Sequence, residues 1–179
     1  MAKIVMVIAP RDFNDTELFE TKEELERMGH KVDVASKARG QIKGMHGSIA
    51  VPSLQTFDIR TKDYDAIVFV GGSGTTAYFG DREIENLIKD FYSAGKVIAA
   101  ICIAPHLLAE AGVLEGIPAT SYASEHSFLQ EKGAVLQQKP VVKYKNIITA
   151  NGPSAALIFA KSISYALEEQ AGKKKISFV

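Results

Sequence analysis

Short runs of apolar, mostly β-branched residues alternate along this chain with segments of helical period, and that alternation limits the folds open to it. Residues 3–9 (KIVMVIA), 66–70 (AIVFV) and 97–101 (VIAAI) carry no polar side chain after Lys3. Unbroken apolar runs of this length are strands buried on both faces, the habit of a parallel sheet. Residues 30–36 (HKVDVAS) read as a further strand. Between strands, residues 15–28 place Leu18, Leu25 and Met28 at helical spacing, with Gly29 where a helix ends. Asp81 reads as the N-cap of a helix over 82–94, which Gly95 stops. A short helix is expected over 105–111, a last one over 154–169, and short strands near Ala119, Val135, Val141 and Ile147. The glycine-rich stretch 39–52 reads as a small hairpin excursion.

This order implies an α/β protein, a flavodoxin-like three-layer sandwich with a mostly parallel central sheet. No repeat, linker or low-complexity stretch divides it, so residues 1–179 are expected to form a single domain. Basic and acidic residues balance at 21 each, leaving no electrostatic footprint for nucleic acid or an anionic membrane. The longest apolar run, 97–105, is too short to span a bilayer, and the first ten residues lead into Arg11 and Asp12 without a signal-peptide cleavage site. The one cysteine can form no internal disulfide and no Cys-rich metal site. A cytoplasmic location is therefore expected, with that thiol free. No cluster has metal-ligand spacing, no cofactor is expected, and the lysines at 173–175 read as a solvated end.

In such sheets, sites form at the carboxyl ends of the strands near the switch in strand order, which selects the loops 10–16, 71–77 and 102–106. Cys102 follows VIAAI and shortly precedes Pro105, a residue suited to the first helical position. A thiol at a helix N-terminus is expected to have a lowered pKa, which makes Cys102 a candidate nucleophile. Ala100 and Ala104 are small, as a nucleophile elbow requires, though Gly is the usual residue there. The competing reading is a buried structural cysteine. Asn14-x-x-Glu17 is a capping-box pattern that would use the carboxylate locally. Glu17 reaches Cys102 instead if the strands at 3–9 and 97–101 are neighbours; burial and like charge would then favour the neutral acid, able to shuttle a proton. Gly71-Gly72-Ser73-Gly74 can bring backbone N–H groups to an oxyanion or can be a plain loop. Its partial match to a dinucleotide fingerprint fails on context, because the next helix starts near Asp81 and the first strand–helix turn has no glycine. Among the histidines, His30 reads as a surface residue and His46 lies in the excursion. His106 is separated from Cys102 by a bend, and His126, on a loop from the site end of the sheet, is the best candidate base.

The segments KIVMVIAP and DFNDTEL, then YDAIVFVGGSG, KVIAAICIAPHLLAEAGVLEG and IITANGPSAALIFA, together resemble the ThiJ/PfpI family. That family includes the parkinsonism-associated deglycase and archaeal intracellular proteases. The resemblance spans nearly the whole chain and implies a flavodoxin-like sandwich that works as a homodimer or higher homo-oligomer. It puts the reactive cysteine at Cys102, its acidic partner at Glu17 and the oxyanion N–H groups at Gly72 and Ile103. One departure matters: protease-like members carry histidine directly after the cysteine, and this chain has Ile103. The adjacent base of a Cys–His pair is absent there, which weighs against a peptidase. The functions implied are glyoxalase- or deglycase-like chemistry on small dicarbonyls or their adducts, oxidative-stress sensing or chaperoning through Cys102 oxidation, and an amidase or peptidase assembled between subunits. In the enzymatic readings His126 or a partner residue could assist proton transfer.

Overall fold

The computed structural model describes residues 1–176, with side chains through residue 172. Strand β1 (Lys3–Val7) leads to helix α1 (Asp15–Arg27) and strand β2 (Lys31–Ser36). The excursion that follows is a separate antiparallel ribbon of β3 (Ile42–Lys43) and β4 (Ile49–Ala50), as expected. Next come β5 (Leu54–Gln55), β6 (Ala66–Phe69), α2 (Arg82–Ser93), β7 (Val97–Ile101) and α3 (Pro105–Glu110). The chain finishes with β8 (Pro118–Ala119), α4 (His126–Glu131), β9 (Val135–Leu136), β10 (Val141–Tyr144), β11 (Ile147–Ala150) and α5 (Ala156–Ile176). The side chains of the 173–175 lysines and all of residues 177–179 lie outside the described ones.

The main sheet has seven strands in the order β10-β11-β7-β6-β1-β2-β5, and all its pairs are parallel except β10 with β11. Taking β1, β2, β6, β7 and β11 in chain order, the arrangement is that of a flavodoxin-like sheet, with the direction of winding reversed between β1 and β6. The two-residue edge strand β5 was not expected.

Alternation along the buried strands sends successive side chains to opposite faces. Val5, Ile67 and Ile98 pack with Ile88 of α2 and Leu108 of α3 on one side. Met6, Val68 and Ala99 pack with Leu25 of α1 and Ile163 of α5 on the other. The helices begin where the sequence indicated. Asn14 Oδ1 accepts the Glu17 N–H at 3.1 Å, and the Asp81 carboxylate accepts the N–H groups of Glu83 and Ile84. No helix of the described residues is long and apolar enough to cross a membrane.

His30 is half-buried rather than a surface residue. Its Nδ1 accepts the Ala2 N–H at 3.2 Å, so Nε2 carries the proton and donates to the Ser164 hydroxyl at 2.8 Å. The ring thus ties the start of β1 and the end of α1 to α5, and burial pushes its pKa down.

Candidate active site

The carboxyl ends of β1, β6 and β7 lie side by side, so the three selected loops meet at one edge of the sheet. At the end of β7 the Cys102 N–H donates to the Ala150 carbonyl at 2.9 Å, one rung beyond the β7–β11 ladder. The chain then turns sharply: Cys102 has φ +64°, in the left-handed region that a residue with a side chain enters at a cost of about 1–2 kcal/mol. The Cys102 carbonyl is held by the Tyr122 N–H at 2.7 Å, and the Ile101 carbonyl by the Ala104 N–H at 3.1 Å. Backbone strain pinned by bonds on both sides is a mark of sites where one side chain must be presented in one direction. The thiol it presents is free and 8% exposed.

Glu17 lies in the first turn of α1 and is fully buried. Its Oε2 accepts the Gly71 N–H at 2.7 Å, while the Asn14 N–H donates to the Gly71 carbonyl at 2.9 Å. Only half of the expected capping box therefore forms. Asn14 caps the helix through its side chain, and the Glu17 carboxyl leaves the helix for the loop after β6.

The route by which Glu17 reaches Cys102 differs from the expected one. β1 and β7 are not neighbours; β6 lies between them. The two side chains meet over Gly71, in the loop two residues beyond the end of β6. A Cβ on Gly71 would fall 2.6 Å from Glu17 Oε2 and 2.6 Å from Cys102 Cβ. The space left by the missing Gly71 side chain is where the Glu17 and Cys102 side chains make contact. Gly72 is constrained in another way, with φ +115° and a Cβ position only 2.5 Å from the Asn14 nitrogen and the Asp12 oxygen.

Burial pushes Glu17 up to about 7, against the lowering effects of the Cys102 contact and the Gly71 N–H. Cys102 is pushed up to about 12, first by burial, then by the charge of Glu17 and its hydrogen bond; the N–H groups of Ile103 and Gly72 act in the opposite direction. The expectation of a lowered thiol pKa is thus overturned. The helix after the elbow has only six residues, and burial and an adjacent carboxyl act on the thiol in the opposite direction. Both groups are thus held toward their protonated forms. Such a pair suits proton transfer from sulfur to carboxylate during attack better than a standing thiolate. The N–H groups of the two candidate oxyanion donors, Gly72 and Ile103, act on the sulfur in the direction that lowers its pKa.

The remaining candidates fall elsewhere. His126 heads α4, and its Nε2 lies 3.1 Å from the Ser121 carbonyl, to which it donates. With Ser121, Tyr122, Lys139 and Asn151 it lines a cavity of about 670 Å³. This cavity adjoins the elbow through the Tyr122 N–H held by Cys102. Among the interactions described for Cys102 none is with His126. His46 is exposed, and its N–H and that of Ser48 donate to the Asp15 carboxylate at 2.8 Å each. These bonds fold the β3–β4 turn onto the site loops, where Met45 Sδ accepts the Ser73 N–H at 3.3 Å.

His106 is the residue that sequence reasoning undervalued. Its ring is stacked between Phe79 and Phe128, with centroids 3.6 and 3.7 Å away. Nδ1 lies 2.6 Å from Glu125 Oε2, and Nε2 lies 3.4 Å from Glu110 Oε1. Glu110 also accepts the Gly80 N–H at 3.0 Å. One imidazole thereby fastens α3 to the segment beyond the glycine loop and to the segment beyond Tyr122. The spacing of His106 and Glu110 on a helix was the available signal. Among the described residues no group of three or more His, Cys, Asp or Glu side chains is arranged to hold a metal ion.

Comparison with known proteins covers almost the same span as the fold. Residues 2–166 match the sequence model of the DJ-1/PfpI family. An uncharacterized protein of Methanocaldococcus jannaschii is 40% identical over 94% of this chain and 83% of its own length. A deglycase of Pyrococcus horikoshii is 31% identical over 84% of this chain and 90% of its own. The crystal structure of a ThiJ/PfpI domain protein from Brachyspira murdochii superposes with a TM-score of 0.91 at 31% identity, covering 93% of this chain and 96% of that one.

Proposed function

The chain belongs to the DJ-1/PfpI family, and from that footing we propose that it is a cofactor-free, cysteine-dependent enzyme acting on small dicarbonyls or their adducts. The observation that carries the reading is the meeting of Glu17 and Cys102 over Gly71. As the sulfur adds to an aldehyde carbon, the Glu17 carboxylate takes the thiol proton and the carbonyl π pair moves onto oxygen. The Gly72 and Ile103 N–H groups, which favour negative charge at the sulfur, stabilise that oxyanion. Return of the proton from Glu17 gives a hemithioacetal. On a 2-oxoaldehyde, the aldehyde-carbon proton then moves to the adjacent carbonyl carbon and the hemithioacetal hydroxyl proton to that carbon's oxygen, which leaves a 2-hydroxyacyl thioester. Water then releases the hydroxy acid and the free thiol, so the sequence is redox-neutral. The cavity beside Tyr122 has room for an adduct larger than a free dicarbonyl, and relatives named as deglycases are 28–35% identical to this chain.

Methylglyoxal consumption with product identification tests the reading. Cys102→Ser and Glu17→Gln are each expected to lose at least about a hundredfold in rate, the scale of removing a nucleophile or a general base. The wild-type rate is expected to rise as pH passes through about 7, where Glu17 becomes the carboxylate. Equal rates in wild type and Cys102→Ser would overturn it. The oxidation-sensor reading ranks second, because a thiol raised to about 12 holds little of the thiolate that peroxide attacks. Ile103 continues to weigh against a peptidase.

A further inference from the structure

Among the described residues two buried side-chain oxygens have no hydrogen-bond partner in the protein, Glu17 Oε1 and Thr21 Oγ1. Both residues are at 0% exposure. They stand one turn apart on α1, at i and i+4, the spacing that puts two side chains on one face about 5–6 Å apart at Cβ. Helix Cα–Cβ bonds tilt toward the N-terminus, so Thr21 leans over the turn that carries Glu17. The second carboxyl oxygen is already taken by the Gly71 N–H. Leaving a buried polar group unsatisfied costs about 1–3 kcal/mol, and native interiors almost always meet that need with protein or with an ordered water. Two such oxygens one turn apart on one helix can share one water.

We propose that Thr21 is a positioning residue for the Glu17 carboxyl, acting through a buried water that hydrogen-bonds both the Thr21 hydroxyl and Glu17 Oε1. A water there donates to Oε1 when the group is ionised. The Thr21 hydroxyl, free to rotate, donates or accepts to match. With Gly71 holding Oε2, the water at Oε1 gives the carboxylate the solvation that its surroundings deny it. The inference rests on the Glu17–Cys102 pairing proposed above but not on the carbonyl substrate.

The experiment is the pH profile of Cys102 alkylation by iodoacetamide, read on the whole protein by mass spectrometry. Wild type is expected to show a midpoint set by Glu17, and Glu17→Gln to abolish it; a Glu17→Gln profile with the wild-type midpoint would remove the pairing itself. Thr21→Val keeps the shape and deletes the hydroxyl. It is expected to move the midpoint up by about one pH unit, the tenfold worth of a hydrogen bond to a charged group. Thr21→Ser is expected to restore the wild-type midpoint. An unchanged or lowered midpoint in Thr21→Val overturns the proposal, as does a Thr21→Ser profile displaced as far as that of Thr21→Val. Should Thr21→Val fail to fold, a high-resolution crystal structure of the wild type decides. A solvent peak within hydrogen-bonding distance of both oxygens supports the proposal, and its absence overturns it.

Discussion

Gly71 contributes no side chain, and the contact between Glu17 and Cys102 exists because it does not. Gly71→Ala would set a methyl 2.6 Å from both groups and 2.9 Å from the Ile101 carbonyl. It is expected to cost about 1–3 kcal/mol through overpacking and to erase the Glu17-dependent step in the alkylation profile; a fully wild-type profile would refute that placement. Glu17 also makes a stability prediction. Its carboxyl ionises at about 7 in the fold against 4.5 in the open chain, so the folded protein binds the extra proton. The stabilising contribution is whole below about 4.5 and is lost as pH rises through about 7, a loss of about 3 kcal/mol above that point. Glu17→Gln escapes the loss, and its melting temperature should exceed that of wild type by a margin that opens between pH 4.5 and 8. A margin independent of pH would show that the group is not perturbed. The grouping of Cys102, Glu17, Gly72 and Ile103 followed from the family resemblance; the residue pattern alone brought Glu17 to Cys102 only through neighbouring strands, and β6 separates them. The protonation of the thiol was not legible in the sequence, because a helix-terminus argument is local and burial is a property of the whole packing.

At the scale of elements, the loops of the site are held by a clasp that no strand or helix pattern reveals. His106→Gln removes the ring stacked between Phe79 and Phe128 and the partner of Glu125, whose side chain is only 12% exposed. Stripping one member from a mostly buried pair is expected to destabilise by about 2–4 kcal/mol, and here to loosen the segment around Tyr122 as well. Hydrogen exchange should show faster exchange over residues 120–131 with little change in β1 or β2; protection kept at wild-type level would contradict the clasp. Long, periodic elements were read correctly to within a few residues. The exceptions have physical causes: β5 is two residues long and offers no period, and α5 runs on to Ile176 through Gly172, a residue of low helix propensity. The reversal between β1 and β6, which seats β6 between β1 and β7, depends on long-range pairing that no local pattern encodes.

Across the whole molecule, the two apolar clusters lie on opposite faces of the same strands, so neither layer of helices can detach without exposing a face of the sheet. Denaturant unfolding is therefore expected to be one cooperative transition, coincident by circular dichroism and by exposure of Cys102 to thiol reagents. Two separated transitions would argue that residues 1–179 are not one cooperative unit. The bond between Glu17 and Gly71 links residues 54 apart in sequence and can close only once β1 and β6 lie side by side. Contacts of that reach arrive late, because the chain must give up loop entropy before they repay it. A newly synthesised copy thus begins with a thiol like any other and acquires its guarded one on completing the sheet. The rate at which Cys102 stops behaving as an ordinary cysteine is a clock for the maturation of the protein.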